Sequence, residues 1–517
     1  MGKYKGAVAA GHELTVKTAE TILREGGNAF DAVVAAHLTA CVAEPVLSSL
    51  GGGGFMLAHT SDGTEVLYDF FVQTPGRKND PETLDFYPIQ ANFGSAKQEF
   101  HIGAGSAATP GSIKGLFAIH RDLCTLPMET LAAPAVELAK NGVQVNGFQA
   151  YIFEIIKPIY ASNPETRKVF KNNNDKAQLP AEGDIISMPL FANFLENLAV
   201  DGEQLFYEGE VAQSVADLCK DGVGHLRRHD LEMYKSVKRV PLDISFSGNR
   251  LIINPPPSSA GILIAFALKI FEKAEKTGST YGSAESLRLL ANVMKVTHQA
   301  RAEKVRVSAR HGSLENLLDE DLMEMYVKFV QNRSSFSRGT THISVADKDG
   351  NIAGLTTSNG EGCGRYIPGT GIMLNNMLGE EDLNESGFHA WKENERMTSM
   401  MAPGILLNKN GDFTVFGSGG SNRIRTAILQ VLINIMVHDM DFKTAIDSPR
   451  LHVEPDHIFI ENGFDSDEIR RFLEGLKDYT IWPEKNLFFG GVHAVQRTSD
   501  NLDAHGDLRR GGSSVVL

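Results

Sequence analysis

The fourteen residues after Asn28, AFDAVVAAHLTACV, are apolar or small on most faces. A helix without a broad polar stripe has no side to turn to water, so it needs packing partners all round and implies a layered body. Asn28 can serve as its N-cap. Ahead of it, Val16, Ala19, Ile22 and Leu23 recur at helical spacing, which predicts an amphipathic helix over residues 14–24 that stops at Gly26-Gly27. With 517 residues, 42 % of them hydrophobic, the chain holds enough apolar material for the large core such helices require.

The same stretch runs on into EPVLSSLGGGGFMLAHTSDG. A Walker-type phosphate loop needs Gly-Lys-Ser/Thr entering a helix, whereas glycines 51–54 enter the strand-like FMLAHT, so close backbone packing is the better reading. Residues 147–234 read as mostly helical, and no repeat of 20 to 50 residues is visible. From Pro241, PLDISFSGNRLIINPPPSSAGILIAFALKIFEKA reads as two short strands, a Pro-rich turn and a buried helix. Residues 285–333 read as helical again and residues 331–338 as an exposed loop. Beyond them HISVAD, IAGLTTS, GIMLNN, DFTVFGS and HIFIEN are strand candidates, with one helix over residues 424–438. No Gly/Ser linker divides the chain, so a single body of layered sheet and helix is expected.

A formal net charge of -14 speaks against nucleic acid, because phosphate recognition needs clustered Lys and Arg. A small-molecule or peptide substrate is the expected partner. Cys41, Cys124, Cys219 and Cys363 form no CxxC pair, so neither a zinc knuckle nor a dithiol site is expected, and no cofactor is indicated. The start MGKYKGAVAAGHELTV shows no apolar stretch leading to a small-residue cleavage site, and the longest apolar run, residues 32–43, carries His37 and is too short for a bilayer. A cytoplasmic location without membrane association is therefore expected.

One stretch carries chemistry. In SRGTTHISVADKDG, starting at Ser337, two threonines stand ahead of a strand; if Lys348, Asp349 and Gly350 form the loop to the return strand, paired positions sum to 698 and Thr340 faces Ser358. A threonine hydroxyl is a weak nucleophile that needs a base, and a threonine at a chain start can use its own α-amine, whose pKa is about 7.7–8.0. An internal Thr340 has no such amine. The chain has first to be cut between Gly339 and Thr340, and Gly339 tolerates the strained backbone that attack on its carbonyl demands. The plain alternative is a pair of β-branched residues at a strand entrance.

GTTHISVADKDGNIAGLTTSNG, with GIMLNN, MMAPGILL, FGSGGSNRI and FFGGVHAVQ…DLRRGG, resembles the γ-glutamyltransferase family of N-terminal nucleophile hydrolases. ILREGGNAFDAVVAAHLTACVAEPVLSSLGGGGFML, TPGS, DLEMY and PPPSSAG look like the same family, in the same order, so the resemblance runs over nearly the whole chain. It implies an α+β fold, the four-layer αββα sandwich, and a precursor that cuts itself into a large segment, residues 1–339, and a small one, residues 340–517. It also implies that Thr340 forms an acyl-enzyme resolved by water or an amino-acid acceptor, that Ser358 supports Thr340 by hydrogen bonding, and that Gly419 and Gly420 supply oxyanion N–H groups. Glycines make physical sense there, since no side chain obstructs the approach of the amides.

The match breaks where the family holds the amino-acid end of a γ-glutamyl group. Phe71 takes the place of the family Arg, and a phenyl ring cannot form a bidentate charge pair. Gly360 stands at a family Asn, Met377 at a Gln and Met400 at the second of two serines, of which Ser399 remains; the acidic residue of the amine pocket falls on Glu380 or Glu381. Phe71, Asn359, Glu361, Glu380 and Ser399 are the candidate substrate-binding residues. Arg77 and Arg365 are further candidates for a changed polar pocket, and the short interval from residue 380 to 399 predicts a reduced lid over an open cleft. The expected function is an autoprocessing amidase acting on γ-glutamyl compounds such as glutathione. An acylase of a non-glutamyl amide, like the cephalosporin acylases, and a silent uncleaved binding protein are the alternatives. Assembly of identical copies is left open, and no metal is expected.

Overall fold

Along Gly6–Ala10, Val8 and Ala10 point to one face and Ala7 and Ala9 to the other, and the two pairs enter different cores. Such a strand lies buried between two layers. The computed structural model describes residues 5–92, 97–163, 166, 179–275, 278–308, 318, 340–384, 386–454, 457–499 and 501–517. Among these residues the strand belongs to a seven-stranded antiparallel sheet, ordered Ser513–Val516, Gly6–Ala10, Thr341–Asp347, Ile352–Ser358, Gly53–His59, Glu65–Asp69 and Val237–Arg239. A six-stranded antiparallel sheet packs on it, ordered Leu502–His505, Gly491–Arg497, Phe413–Gly419, Gly404–Leu407, Asn249–Ile253 and Leu242–Phe246.

Helices close both outer faces. Glu13–Arg24 and Ala29–Ala43 cover the first sheet, while Ser259–Ala274 and Arg423–Met436 cover the second, which gives the expected αββα order of layers. All fifteen residues of Ala29–Ala43 are buried, as its composition requires. Its start is fixed by a capping box: the Asn28 side chain accepts from the Phe30 and Asp31 N–H groups, and Asp31 accepts from the Asn28 N–H at 2.8 Å. Glycines 51–54 serve close packing. A Cβ on Gly52 would stand 2.2 Å from the Ser358 carbonyl oxygen, and one on Gly54 2.4 Å from that of Thr356.

Several boundaries differ from expectation. The first helix begins at Glu13, because the His12 ring accepts from the Leu14 N–H, and GIMLNN yields only the two-residue strand Ile372–Met373. Asn375 leaves the ladder to bind the Gly51 and Ala108 carbonyls at 2.8 and 2.9 Å. The long helix predicted from residue 285 is observed as Ala284–Ser308; the rest of that prediction, apart from Leu318, and the loop expected over residues 331–338 lie outside the described residues. The two chain ends meet. The Lys5 N–H donates to the Leu517 carbonyl at 2.6 Å, and the Leu517 N–H to that of Gly6 at 2.9 Å.

Candidate active site

The hairpin turn at Lys348, Asp349 and Gly350 is pinned by Asp347, which accepts from the Asp349 and Asn351 N–H groups at 2.9 and 3.0 Å and from the Ala29 N–H at 3.0 Å. This fixes the register. Thr341 pairs with Thr357, and every pair down to Ala346 and Ile352 sums to the same number. Thr340 and Ser358 stand one step past the last pair and line one pocket. Strand alternation sends Thr341 the other way, where its hydroxyl donates to Glu44 at the end of Ala29–Ala43, 3.3 Å from each carboxyl oxygen.

The second sheet approaches Thr340 through Phe413–Gly419. A Cβ on Gly419 would lie 2.2 Å from the Thr340 carbonyl oxygen, and that oxygen accepts from Nη1 of Arg510 at 3.2 Å. Past Gly419 the chain turns sharply, with Gly420 at φ +118° and Ser421 at φ +47°, and Arg423–Met436 begins. Ser421 and Ile424, at this helix start, also line the pocket, so the positive end of a helix faces the space beside Thr340.

The pocket is small, with a cavity volume of about 20 Å³, and Phe71, Met377, Leu383, Met400, Met401 and Ile424 form the apolar part of its wall. Phe71 stacks on Phe55 at 5.6 Å between ring centres. Its backbone is clamped, since its N–H donates to Asp69 at 3.1 Å and its carbonyl accepts from the Tyr234 hydroxyl at 2.7 Å and from Arg396. Asp69 is fully buried and pairs with Arg239 at 2.7 Å and Arg396 at 3.5 Å. Ser358 accepts from the Gly360 N–H at 2.9 Å, and the Ser399 hydroxyl from the Met401 N–H at 3.1 Å.

Two buried ionisable groups sit behind the nucleophile candidate. Burial pushes the Glu44 carboxyl up to about 8, against the opposing pull of the Thr341 hydrogen bond and the Arg510 charge. Burial lowers the Arg510 guanidinium to about 10, with Glu361, Asp507 and Glu44 acting in the other direction. His342, the third residue of the TTH motif, faces the gap between the sheets rather than the pocket lining. Its ring binds the Thr356 and Ser344 hydroxyls at 2.7 and 2.9 Å, and burial holds it neutral, well below the usual 6.5. Gly417 makes room for that ring, as a Cβ there would stand 2.3 Å from Nδ1.

Of the residues singled out from sequence, Thr340, Ser358, Phe71, Glu380 and Ser399 share the pocket wall, as do Met377 and Met400, and Gly419 abuts Thr340 with Gly420 following it. Asn359 and Glu361 are buried in the turn after Ser358 and are not among the lining residues. Arg77 is exposed, and Arg365 is engaged by Asp85 at 2.6 Å, so neither forms the substitute polar pocket considered for them. Gly360 is explained by space: at φ +65°, its Cβ would fall 2.1 Å from both Asn376 Oδ1 and Glu380 Oε1. The short interval after Glu380 is fastened to the chain beyond Phe71, with the Met397 N–H on the Val72 carbonyl at 3.2 Å and the Thr74 N–H on that of Glu395 at 2.9 Å. Gly339 lies outside the described residues. Sequence reasoning missed Glu44, Arg510, Leu383, Met401, Ser421 and Ile424. Arg510 stands inside the DLRRGG motif, whose paired arginines were the available signal.

A family model for gamma-glutamyltranspeptidase matches residues 15–517. The chain belongs to the gamma-glutamyltranspeptidase family. Its relatives include the glutathione hydrolase proenzyme of Escherichia coli (strain K12), 29 % identical over 504 residues that span 90 % of this chain and 84 % of that protein. The acylase ACY 1 proenzyme of Pseudomonas sp. (strain V22) is 28 % identical over 468 residues, 87 % of this chain and 83 % of the other. Among solved structures, cephalosporin acylase from Bacillus halodurans shares the fold with a TM-score of 0.83 at 22 % identity, covering 99 % of this chain and 96 % of its own. As a gamma-glutamyltranspeptidase family member the chain is a threonine hydrolase or acyltransferase of the N-terminal type. Among the described residues no group of three His, Cys, Asp or Glu side chains could hold a metal ion, and no helix is long and apolar enough to cross a membrane.

Proposed function

We propose that this gamma-glutamyltranspeptidase family member is a precursor that cuts itself between Gly339 and Thr340, and that the Thr340 hydroxyl then takes an acyl group from an amide. The observation that carries this reading is the meeting of Thr340 and Ser358 at one pocket, from the two strands of a hairpin, with Gly419 of the facing sheet against the Thr340 carbonyl. The cut divides the chain into residues 1–339 and 340–517. It creates the α-amine that accepts the hydroxyl proton as oxygen attacks the amide carbon. Charge gathers on the former carbonyl oxygen. We assign its stabilisation to the backbone N–H groups of Gly419 and Gly420, which precede the helix start at Arg423. The amine leaves with a proton, and water or an amino-acid acceptor then attacks the ester and releases Thr340.

γ-Glutamyl compounds and related amides form the substrate class, as the names of the Escherichia coli and Pseudomonas relatives suggest between them. Phe71 favours the second name. Its buried, clamped ring offers no charge to an α-carboxylate, so an acyl group without an amino-acid head suits this wall better. The test compares wild type with Thr340→Ala on a denaturing gel and on γ-glutamyl, glutaryl and simple acyl anilides. Two bands of about two-thirds and one-third of the chain, lost in the variant together with turnover, are expected. A single persistent band, or turnover that survives the substitution, would sink the reading, and a clear preference for the γ-glutamyl anilide would return the substrate to glutathione-like compounds.

A further inference from the structure

The ladder of the central hairpin ends at Thr341 and Thr357, so its hydrogen bonds do not reach Thr340. A first residue just beyond a ladder frays unless something else ties it. Two ties are present, one to the Thr340 carbonyl and one to the Thr341 hydroxyl. Arg510 holds the Thr340 carbonyl, in room left by Gly419 and Gly491, where a Cβ would stand 2.9 Å from Arg510 Nη1 and 2.7 Å from Arg510 Cβ respectively. Glu44 holds the Thr341 hydroxyl from the opposite face of the sheet, and Arg510 is among the charges acting on it. Gly11 leaves the space for this contact: a Cβ there would stand 2.6 Å from Glu44 Oε1 and 2.9 Å from Thr341 Oγ1.

We propose that Glu44 is a positioning residue for the nucleophile, fixing the Thr340–Thr341 peptide through the Thr341 hydroxyl while Arg510 holds the Thr340 carbonyl. It touches no substrate. Its surroundings fit this work: Glu44 is fully buried, the Cys41 thiol on the helix it caps is pushed up to about 12, and Glu361 and Asp507 act on Arg510. A buried carboxyl with two such partners is stiff, and misplacement of a reacting group by as little as 1 Å can cost roughly 100-fold in rate.

The proposal rests on Thr340 being the nucleophile, and the experiment separates the two. Glu44→Gln, Thr341→Val, the double variant and Thr340→Ala are assayed on the anilide that wild type turns over, with kcat referred to the cleaved fraction on a gel. Above pH 8, where the Glu44 carboxyl gives up its proton, Glu44→Gln and Thr341→Val should each lower kcat at least tenfold with KM within twofold and with no fall in the thermal midpoint. The double variant should be no worse than the poorer single, because both cut one connection. Wild-type kcat in Glu44→Gln, additive losses, or a loss that follows the thermal midpoint would overturn the proposal while leaving Thr340→Ala inactive. An active Thr340→Ala would overturn the underlying reading instead. If Glu44→Gln does not fold, Thr341→Val decides by the same criteria.

Discussion

Gly419 stands so close to Thr340 that a single added carbon would come within 2.2 Å of the Thr340 carbonyl oxygen and 2.9 Å of Arg510 Nη1. Neither neighbour can yield, since one is backbone and the other is buried. Gly419→Ala should therefore displace the nucleophile strand from the facing sheet. Turnover is expected to fall by at least roughly 10- to 100-fold, and stability by about 1–3 kcal/mol, as overpacked cores do. Anilide kinetics and the denaturant midpoint measure the two effects.

Phe71 lines the pocket beside Thr340. Phe71→Arg would supply a planar cation able to pair with an α-carboxylate, in a wall that already contains Glu380. The ratio of kcat/KM for γ-glutamyl over simple acyl anilides should rise about tenfold, the worth of roughly one charge-assisted hydrogen bond. An unchanged ratio would show that Phe71 is scaffolding.

Asp69 holds two arginines and the Phe71 N–H at once. Asp69→Asn leaves both guanidiniums without their charge partner, and breaking a buried pair in this way costs about 3–5 kcal/mol. Arg239 keeps some contact with water, so the lower end is expected. Chemical denaturation should show the loss, and the affinity for substrate should weaken with it because Arg396 also steadies the Phe71 carbonyl.

Stability should peak between two opposing limbs of pH. His37 and His493 are held near 4 and His342 well below its ordinary value, all by burial, so the folded chain takes up fewer protons than the unfolded one below the ordinary 6.5. Stability is lost as pH falls from about 6.5 towards 4. Glu44 acts in reverse. Its carboxyl keeps a proton up to about 8 that the unfolded chain releases near 4.5, so its contribution is lost as pH rises across that window. Glu44→Gln should flatten the upper limb and leave the lower one, as read from denaturant midpoints across the range.

The hairpin was legible because its evidence is local: a three-residue turn sets the register, and the register alone brings Thr340 to Ser358. The all-buried helix was legible for the same reason, through its composition and its Asn28 cap. Gly6–Ala10 was not, because GAVAA offers a strand little of the β-branched or aromatic surface by which strands announce themselves; its neighbours on both sides place it. Arg510 and Glu44 escaped notice for another reason. They reach Thr340 and Thr341 across 170 and 297 residues, and no spacing rule spans such distances. His342 was given no role from sequence although it stands beside two threonines, and its hydrogen bonds are spent within the core between the sheets.

The paired ends of the chain make the written order of its two segments dispensable. Lys5 and Leu517 are already hydrogen-bonded neighbours, and Ser513–Val516 lies beside Gly6–Ala10 in the first sheet. A gene rearranged to open at Thr340, with Leu517 joined to Lys5 by a short connector, would preserve every strand neighbour in both sheets. Once its initiator methionine was trimmed, that permuted polypeptide would carry the reactive threonine at its start from birth. Maturation and catalysis could then be studied as separate events in one molecule.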